Sequence, residues 1–250
     1  MLQPALQYHL VFEGDWPSAV TFLDTSRRVA AANQDGEIFL WELPETPPVL
    51  PEPAKADGAK KPEAPDFAPV YRLEGHTNAI THLVYDQRRK LLISASFDRS
   101  IRLWSLDAPP AGTAEAVLNR LSREAEFKRT KKDEVLKQPG VTVKTLAPVH
   151  VLEGHQDWVQ ALALSADGSR LISGDVMSQV IAWDLDRREA ITRWSGHKWN
   201  WIVAAALSAD GRTALISEHR YKRDDFDIPA AAVKLWSTDD GTETLDLLKV

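Results

Sequence analysis

The chain reads as an all-β protein built of stacked repeats, and three observations predict it. Four short alternating runs each end in a Trp, at Trp41, Trp104, Trp183 and Trp236. A Gly-His pair opens three of the four stretches, at Gly75-His76, Gly154-His155 and Gly196-His197. His76 also stands as far from Trp104 as His155 does from Trp183. Self-similarity at a fixed spacing marks a repeat architecture, in which each unit buries its apolar face against the next.

The first copy is the most worn. Gly14-Asp15 stands where Gly-His is expected, Ala31 replaces a strand Ser, and Gln34-Asp35-Gly36 supplies a turn before residues 38–41. The second copy predicts strands over 80–84, 91–95 and 100–104, where apolar and polar residues alternate with a period near two. In the third, strands over 159–164 and 170–173 flank Ser165-Ala166-Asp167-Gly168, an Asp-Gly hairpin signal. The fourth repeats that turn as Ser208-Ala209-Asp210-Gly211.

These residues resemble the WD-repeat (WD40) family, in which each repeat builds one four-stranded blade of a β-propeller. The resemblance implies a hydrogen-bonded set inside each blade, made of a His, a strand Ser, a turn Asp and the closing Trp. Such a set satisfies a buried imidazole, hydroxyl and indole N–H at once. The second copy supplies His76, Ser94, Asp98 and Trp104. The third keeps His155, Ser173 and Trp183, with Met177 in the Asp place and Asp175 two residues earlier. The fourth keeps His197, Ser217 and Trp236 without an aligned Asp. Blades three and four are therefore expected to be less rigidly locked.

Blade limits follow at about 16–74, 76–153, 155–195 and 197–250. In this family the outer strand of each blade comes from the start of the next repeat. That assigns 71–73 to the first blade, 150–152 to the second, 191–193 to the third and 245–250 to the fourth, with 8–13 left as a spare outer strand. Four blades make a partial arc of a seven- or eight-bladed ring. The expectation is the N-terminal part of a longer propeller, ahead of a homodimer of two arcs and of a closed four-bladed ring.

Three segments fall outside the repeat. Residues 44–69 are Pro-rich and predict an extended loop. Residues 107–147 are a charged, partly helical insertion by sequence, with Val117, Leu118, Leu121 and Ala125 near one helix face. Its run Lys128-Arg129-Thr130-Lys131-Lys132 is basic, but Glu124, Glu126, Asp133 and Glu134 flank it, which favours a solvated face. Within 218–227, His219, Asp224, Asp225 and Asp227 sit beside Arg220, Lys222 and Arg223, which reads as a self-paired loop rather than a cation site.

Composition narrows the function. The chain has 250 residues, a net charge of −6 and no Cys, so disulfides and thiolate chemistry are excluded and a basic nucleic-acid surface is disfavoured. The first residues lack the pattern of a signal peptide, and no apolar run approaches the roughly 18 residues of a membrane span. A cytoplasmic protein without a membrane partner is expected. No Gly-x-Ser-x-Gly elbow, P-loop or His-Glu-x-x-His is present. His, Ser and Asp recurring at repeat spacing read as a structural network rather than a catalytic triad. No catalytic residue, cofactor or metal is expected.

The resulting function is a non-enzymatic protein–protein interaction scaffold that binds a protein or peptide partner on the propeller rim. Candidate partner-binding residues are Trp16, Trp158, Trp199 and Trp201, with Arg220 and Tyr221, because Trp brings large contact area at little entropic cost. The alternatives are a regulatory or sensor propeller domain of a larger enzyme or multidomain protein, and a nucleic-acid contact through the basic insertion.

Overall fold

Period-two alternation becomes four antiparallel sheets in the computed structural model, which describes residues 9–10, 16–24, 27–46, 66–116, 119–120, 136–137, 141–198, 200–220 and 231–247. The chain opens with β1 (His9–Leu10), β2 (Pro17–Leu23), β3 (Arg28–Asn33), β4 (Ile38–Glu42), β5 (Asp66–Phe67) and β6 (Tyr71–Leu73). Strands β2, β3, β4 and β6 form blade one from its inner to its outer edge. Next come β7 (Ile80–Asp86), β8 (Leu91–Ser96) and β9 (Ile101–Ser105), then β10 (Gly112–Ala116), β11 (Asn119–Arg120), β12 (Leu136–Lys137), β13 (Val141–Leu146) and β14 (His150–Leu152). Blade two is β7, β8, β9 and β14. Blade three is β15 (Val159–Leu164), β16 (Arg170–Asp175), β17 (Gln179–Asp184) and β18 (Glu189–Ser195). Blade four is β19 (Asn200–Leu207), β20 (Thr213–Arg220), β21 (Ala231–Ser237) and β22 (Glu243–Asp246). Its outer strand thus begins two residues before the expected 245–250. The architecture is all-β, a partial propeller.

The closing Trp of blades two, three and four faces the preceding blade. Trp104 joins Leu83 and Leu92 against Leu23, Ile38, Leu40 and Leu73 of blade one. Trp183 lies with Leu171 and Ile181 against Ile93, Ile101 and Leu103 of blade two. Trp236 lies with Ile202 and Ile216 against Ile172 and Val180 of blade three. At the end away from these Gly-His loops, Arg89 pairs with Asp86 of its own blade (2.7 Å) and Asp186 of the next (2.5 Å). Arg170 similarly reaches Asp239 of blade four at 2.6 Å. The Asp-Gly turns fit these joints closely, with Gly168 and Gly211 both at φ +70°, a conformation that suits glycine.

The insertion corrects the sequence expectation. The sequence predicts a helix over 114–137, but 112–116 form a strand, and β10 pairs antiparallel with β13. Strand β13 in turn runs parallel to β6, so blade one becomes a six-stranded sheet. Asn119–Arg120 pairs with Leu136–Lys137, while the predicted apolar helix positions 117, 118, 121 and 125 lie outside the described residues, as does the basic run. Ala114, Ala116 and Val143 alternate onto one face, where they extend a core of Val29, Ala31, Phe39 and Trp41. Alternation with small apolar residues serves a strand here as well as it would serve one face of a helix, and pairing with β6 decides between them.

The N-terminal strand also differs from its expected role. Residues 9–10 are not left unpaired: they pair in parallel with Asp66–Phe67. Leu10 and Phe67 pack on the Trp41 core, and Trp41 Nε1 donates to Phe67 O at 3.0 Å. The face of blade one that corresponds to the inter-blade faces of the other Trp residues is therefore covered around Trp41 by this small sheet and the insertion. Along β2 it stays open, with Val20 and Phe22 exposed. Neighbouring blades pack face to face in series, and among the described residues no core cluster joins blade four to blade one, so the four sheets form an arc.

Candidate protein-interaction site

The rim is shaped by the loops that carry the Gly-His pairs, and buried hydrogen bonds hold those loops to the blades. In blade two His76 Nδ1 lies 2.7 Å from Asp98 Oδ2, and Nε2 lies 2.7 Å from Ser94 Oγ. Trp104 Nε1 donates to the same hydroxyl at 2.8 Å. One assignment satisfies these four side chains: indole N–H to Ser94, Ser94 O–H to Nε2, and Nδ1–H to Asp98, with Arg102 Nε 3.2 Å from Nδ1 left outside the set. Burial holds the His76 imidazole below its ordinary range, only partly offset by Asp98. Burial also pushes the Asp98 carboxyl up, but hydrogen bonds from His76 and Ser100 outweigh it and hold Asp98 well below the usual carboxylate range. The pair is a neutral imidazole donating to a carboxylate.

This Ser-His-Asp geometry matches that of a catalytic triad, and burial decides against that use. Ser94 and Ser173 have no exposed surface, and each hydroxyl already accepts from a Trp. No substrate reaches them.

Blade three closes the same set with a residue the sequence pattern placed elsewhere. His155 Nδ1 lies 3.0 Å from Asp175 Oδ2, Nε2 lies 2.6 Å from Ser173 Oγ, and Trp183 Nε1 donates to Ser173 at 2.8 Å. Asp175 ends β16, in the register position of Ser96 in blade two, and it also accepts from the backbone N–H groups of Met177 and Gln179. The looser blade three expected from Met177 is not what the geometry gives.

Blade four is the one that departs. Trp236 pairs with Ala214, so Ile216 occupies the place of Ser94 and Ser173, and Ser217 falls on the opposite face of β20. Ser217 is therefore no member of a network. Trp236 Nε1 is buried with no hydrogen-bond partner among the described residues, and its ring stacks on Trp194 at 5.8 Å. Glu218, fully buried, takes the Asp175 position and accepts from His197 N (2.9 Å) and Asn200 Nδ2 (3.1 Å).

At the rim the inner strands share one irregularity. Register shifts in β2, β7, β15 and β19 leave Ser18, Thr81, Gln160 and Val203 as the extra residues, one per blade. A bulge turns its extra side chain out of the ladder. All four line one cavity of about 290 Å³, together with His82 and Phe97. Beside its mouth, Phe97 of blade two stacks on Trp158 of blade three, with centroids 4.5 Å apart and planes at 19°. Trp158 remains 46% exposed and the neighbouring Met177 55% exposed, an open apolar platform.

The predicted rim residues are distributed unevenly. Trp158 forms the platform, and Trp16 is exposed at the start of blade one. Trp201 is half-buried in β19, whereas Arg220 ends β20 and Trp199 and Tyr221 lie outside the described residues. So does most of the acidic and basic 218–227 loop. Sequence reasoning missed Phe97, His82 and Gln160, whose only local signal is their place beside the Gly-His loops. Among the described residues no helix is long and apolar enough to cross a membrane.

Comparison with known proteins adds a family signal over part of this fold. The family model "WD domain, G-beta repeat" matches residues 67–105 and 146–184, within blades one to three. The chain is 28% identical over 140 residues to "U3 small nucleolar RNA-interacting protein 2" of Homo sapiens, covering 56% of this chain and 24% of that protein. It is 32% identical over 116 residues to "Regulator of rDNA transcription protein 13" of Saccharomyces cerevisiae, covering 46% and 52%. It is 24% identical over 183 residues to "Ribosome biogenesis protein YTM1" of Candida albicans, covering 72% and 36%. In each case the chain spans little more than half of the relative, or less.

Proposed function

We propose that the chain is a WD-repeat protein and acts as a non-enzymatic scaffold whose rim binds a segment of a partner protein. The stack of exposed Trp158 on partly buried Phe97 carries this reading. Large aromatic side chains left half in water cost solvation that a partner recovers, and their few rotors lose little entropy on binding. Their backbones are fixed by Phe97 N–H donating to Ala79 O (2.9 Å) and Val176 N–H donating to Trp158 O (3.1 Å), so the platform is set before a partner arrives. The sealed Ser-His-Asp sets support a scaffold over a hydrolase.

The names of the relatives, which link those proteins to nucleolar RNA, rDNA transcription and ribosome biogenesis, support a protein partner within an RNA-linked assembly. They favour that setting over the cytoplasmic one expected from the sequence. A net charge of −6 disfavours direct nucleic-acid binding.

The test is affinity purification of the tagged chain with quantitative mass spectrometry, run beside Trp158→Ala and Phe97→Ala. At least one bound protein is expected to fall about tenfold or more in both variants, equivalent to about 1.4 kcal/mol, while their melting temperatures stay near that of the parent. A bound set unchanged in both variants defeats the proposal. Loss of the whole set on RNase treatment transfers the function to nucleic acid.

A further inference from the structure

Polar groups at the inner-strand mouth behave differently from those inside the blades. The networks of blades two and three pair every His, Ser and Trp polar atom they contain. Around the cavity, by contrast, Ser18, His82 and Gln160 form no side-chain hydrogen bond among the described residues. Two of their atoms, His82 Nδ1 and Gln160 Oε1, are buried as well as unpaired. Thr81 alone is engaged, donating to Val159 O of the next blade at 2.9 Å. None of the lining residues carries a formal charge at neutral pH, since burial holds the His82 imidazole below its ordinary range.

We infer that this mouth receives an uncharged carboxamide side chain, a Gln or Asn, presented by the partner segment. The inference rests on the rim being the partner's docking face. Its first support is size: about 290 Å³ falls at the lower limit of ligand pockets, roughly 300–1,000 Å³, and suits one side chain rather than a cofactor. Its second is charge. A Lys, Arg, Asp or Glu would leave its hydration for a wall with no opposite charge, and such desolvation is costly without a paired ion. Its third is hydrogen bonding. An apolar guest would displace water from the Ser18, Gln34, His82 and Gln160 side chains that line the cavity and leave them unpaired, at the cost of unmet polar groups. A carboxamide offers an acceptor oxygen and two N–H donors, which matches an amide and a neutral imidazole that each donate and accept. Phe97 joins the two parts, forming cavity wall on one side and the stack with Trp158 on the other.

Short random peptides displayed on phage and selected against the full chain test this, with Gln160→Leu and Trp158→Ala selected in parallel and both checked by thermal melting. Binders with Gln or Asn at one fixed position are expected, and Ala there weakens binding about tenfold. Gln160→Leu removes that preference while Trp158-dependent binding persists. A charged or apolar residue at the fixed position overturns the inference and leaves the docking face standing. Absence of any Trp158-dependent binder defeats the docking face itself.

A second measurement reads the pocket without the platform. N-acetylglutamine amide and N-acetyllysine amide are titrated into isotope-labelled protein and followed by NMR. Shifts at His82 and Gln160 with the first compound alone support the pocket. An equal response to both, or none to either, overturns it.

Discussion

Replacing Asp98 by Ala tests whether the rim loops are held from within. The carboxylate accepts from His76 Nδ1 (2.7 Å), Ser100 Oγ (2.6 Å), Ser100 N (2.9 Å) and Thr77 N (3.2 Å). After truncation, water can reach the exposed Thr77 N–H, so that loss is small. The His76 side chain has no exposed surface, and Ser100 Oγ, 3.4 Å from Nδ1, is too distant to replace a 2.7 Å acceptor. An unmet buried donor costs about 1–3 kcal/mol, and the loosened Ser100 turn brings the total to about 3 kcal/mol. The 3–5 kcal/mol typical of a bare buried charge is not reached, because His76 is held neutral. For a chain of this size about 3 kcal/mol lowers the melting temperature by roughly 6–12 °C. Differential scanning calorimetry or circular dichroism reads the shift directly. Asp175→Ala is expected to match it, whereas the exposed Met177→Ala and Asp107→Ala stay within about 0.5 kcal/mol of the parent. Equal, small shifts for Asp98→Ala and Asp107→Ala would falsify the network as a source of stability.

Three further outcomes are expected. A Cβ at Gly174 would overlap the Ile202 side chain across the joint of blades three and four, so Gly174→Ala is expected to cost about 1–3 kcal/mol. Adding Ile202→Ala should return part of that loss, and strictly additive costs in denaturant melts would remove overcrowding as the cause. Stability should fall with acid in two stages. His76 and His82 have folded values below 6.5, so the unfolded chain takes up protons first and the loss begins as pH drops below about 6.5. Asp98, whose folded value lies below 3.8, adds stability present above that pH and lost as pH falls through its folded value; a melting temperature constant from pH 7 to about 4.5 contradicts the first stage. Replacing 112–146 by a short Gly-Ser linker uncovers Trp41, and amide exchange should quicken in β3 and β4 but not in β16 and β17; uniform rates would show that the insertion is no cover.

How far the sequence reached depended on how local each feature is. Alternation of period two, an Asp-Gly turn and a Trp at the end of a run are properties of a few neighbouring residues, so the four sheets were legible from them. The His76, Ser94, Asp98 and Trp104 set was legible too, because its recurrence at repeat spacing stands out in the chain. Trp158 could be named as a rim residue from its place after a Gly-His loop. Its stacking partner Phe97 could not, since that contact joins two blades and leaves no periodic trace.

Register and pairing, by contrast, were decided only by the tertiary structure. A shift of one residue moves a strand side chain to the other face, and that single step places Ile216 rather than Ser217 beneath Trp236. The same logic brings Asp175, on the strand, to the imidazole that a turn Asp reaches in blade two. Residues 114–116 carry a pattern that strand or helix could use, and pairing with 141–146, which itself adds to the edge of β6, selected the strand. The cavity at the mouth depends most on the assembled fold. Ser18, Thr81, Gln160 and Val203 are far apart in the chain and unlike in type, and they meet because each inner strand bulges at the same height. Local sequence sets which residues form strands, but a pairing energy shared between distant strands sets which side chains face one another.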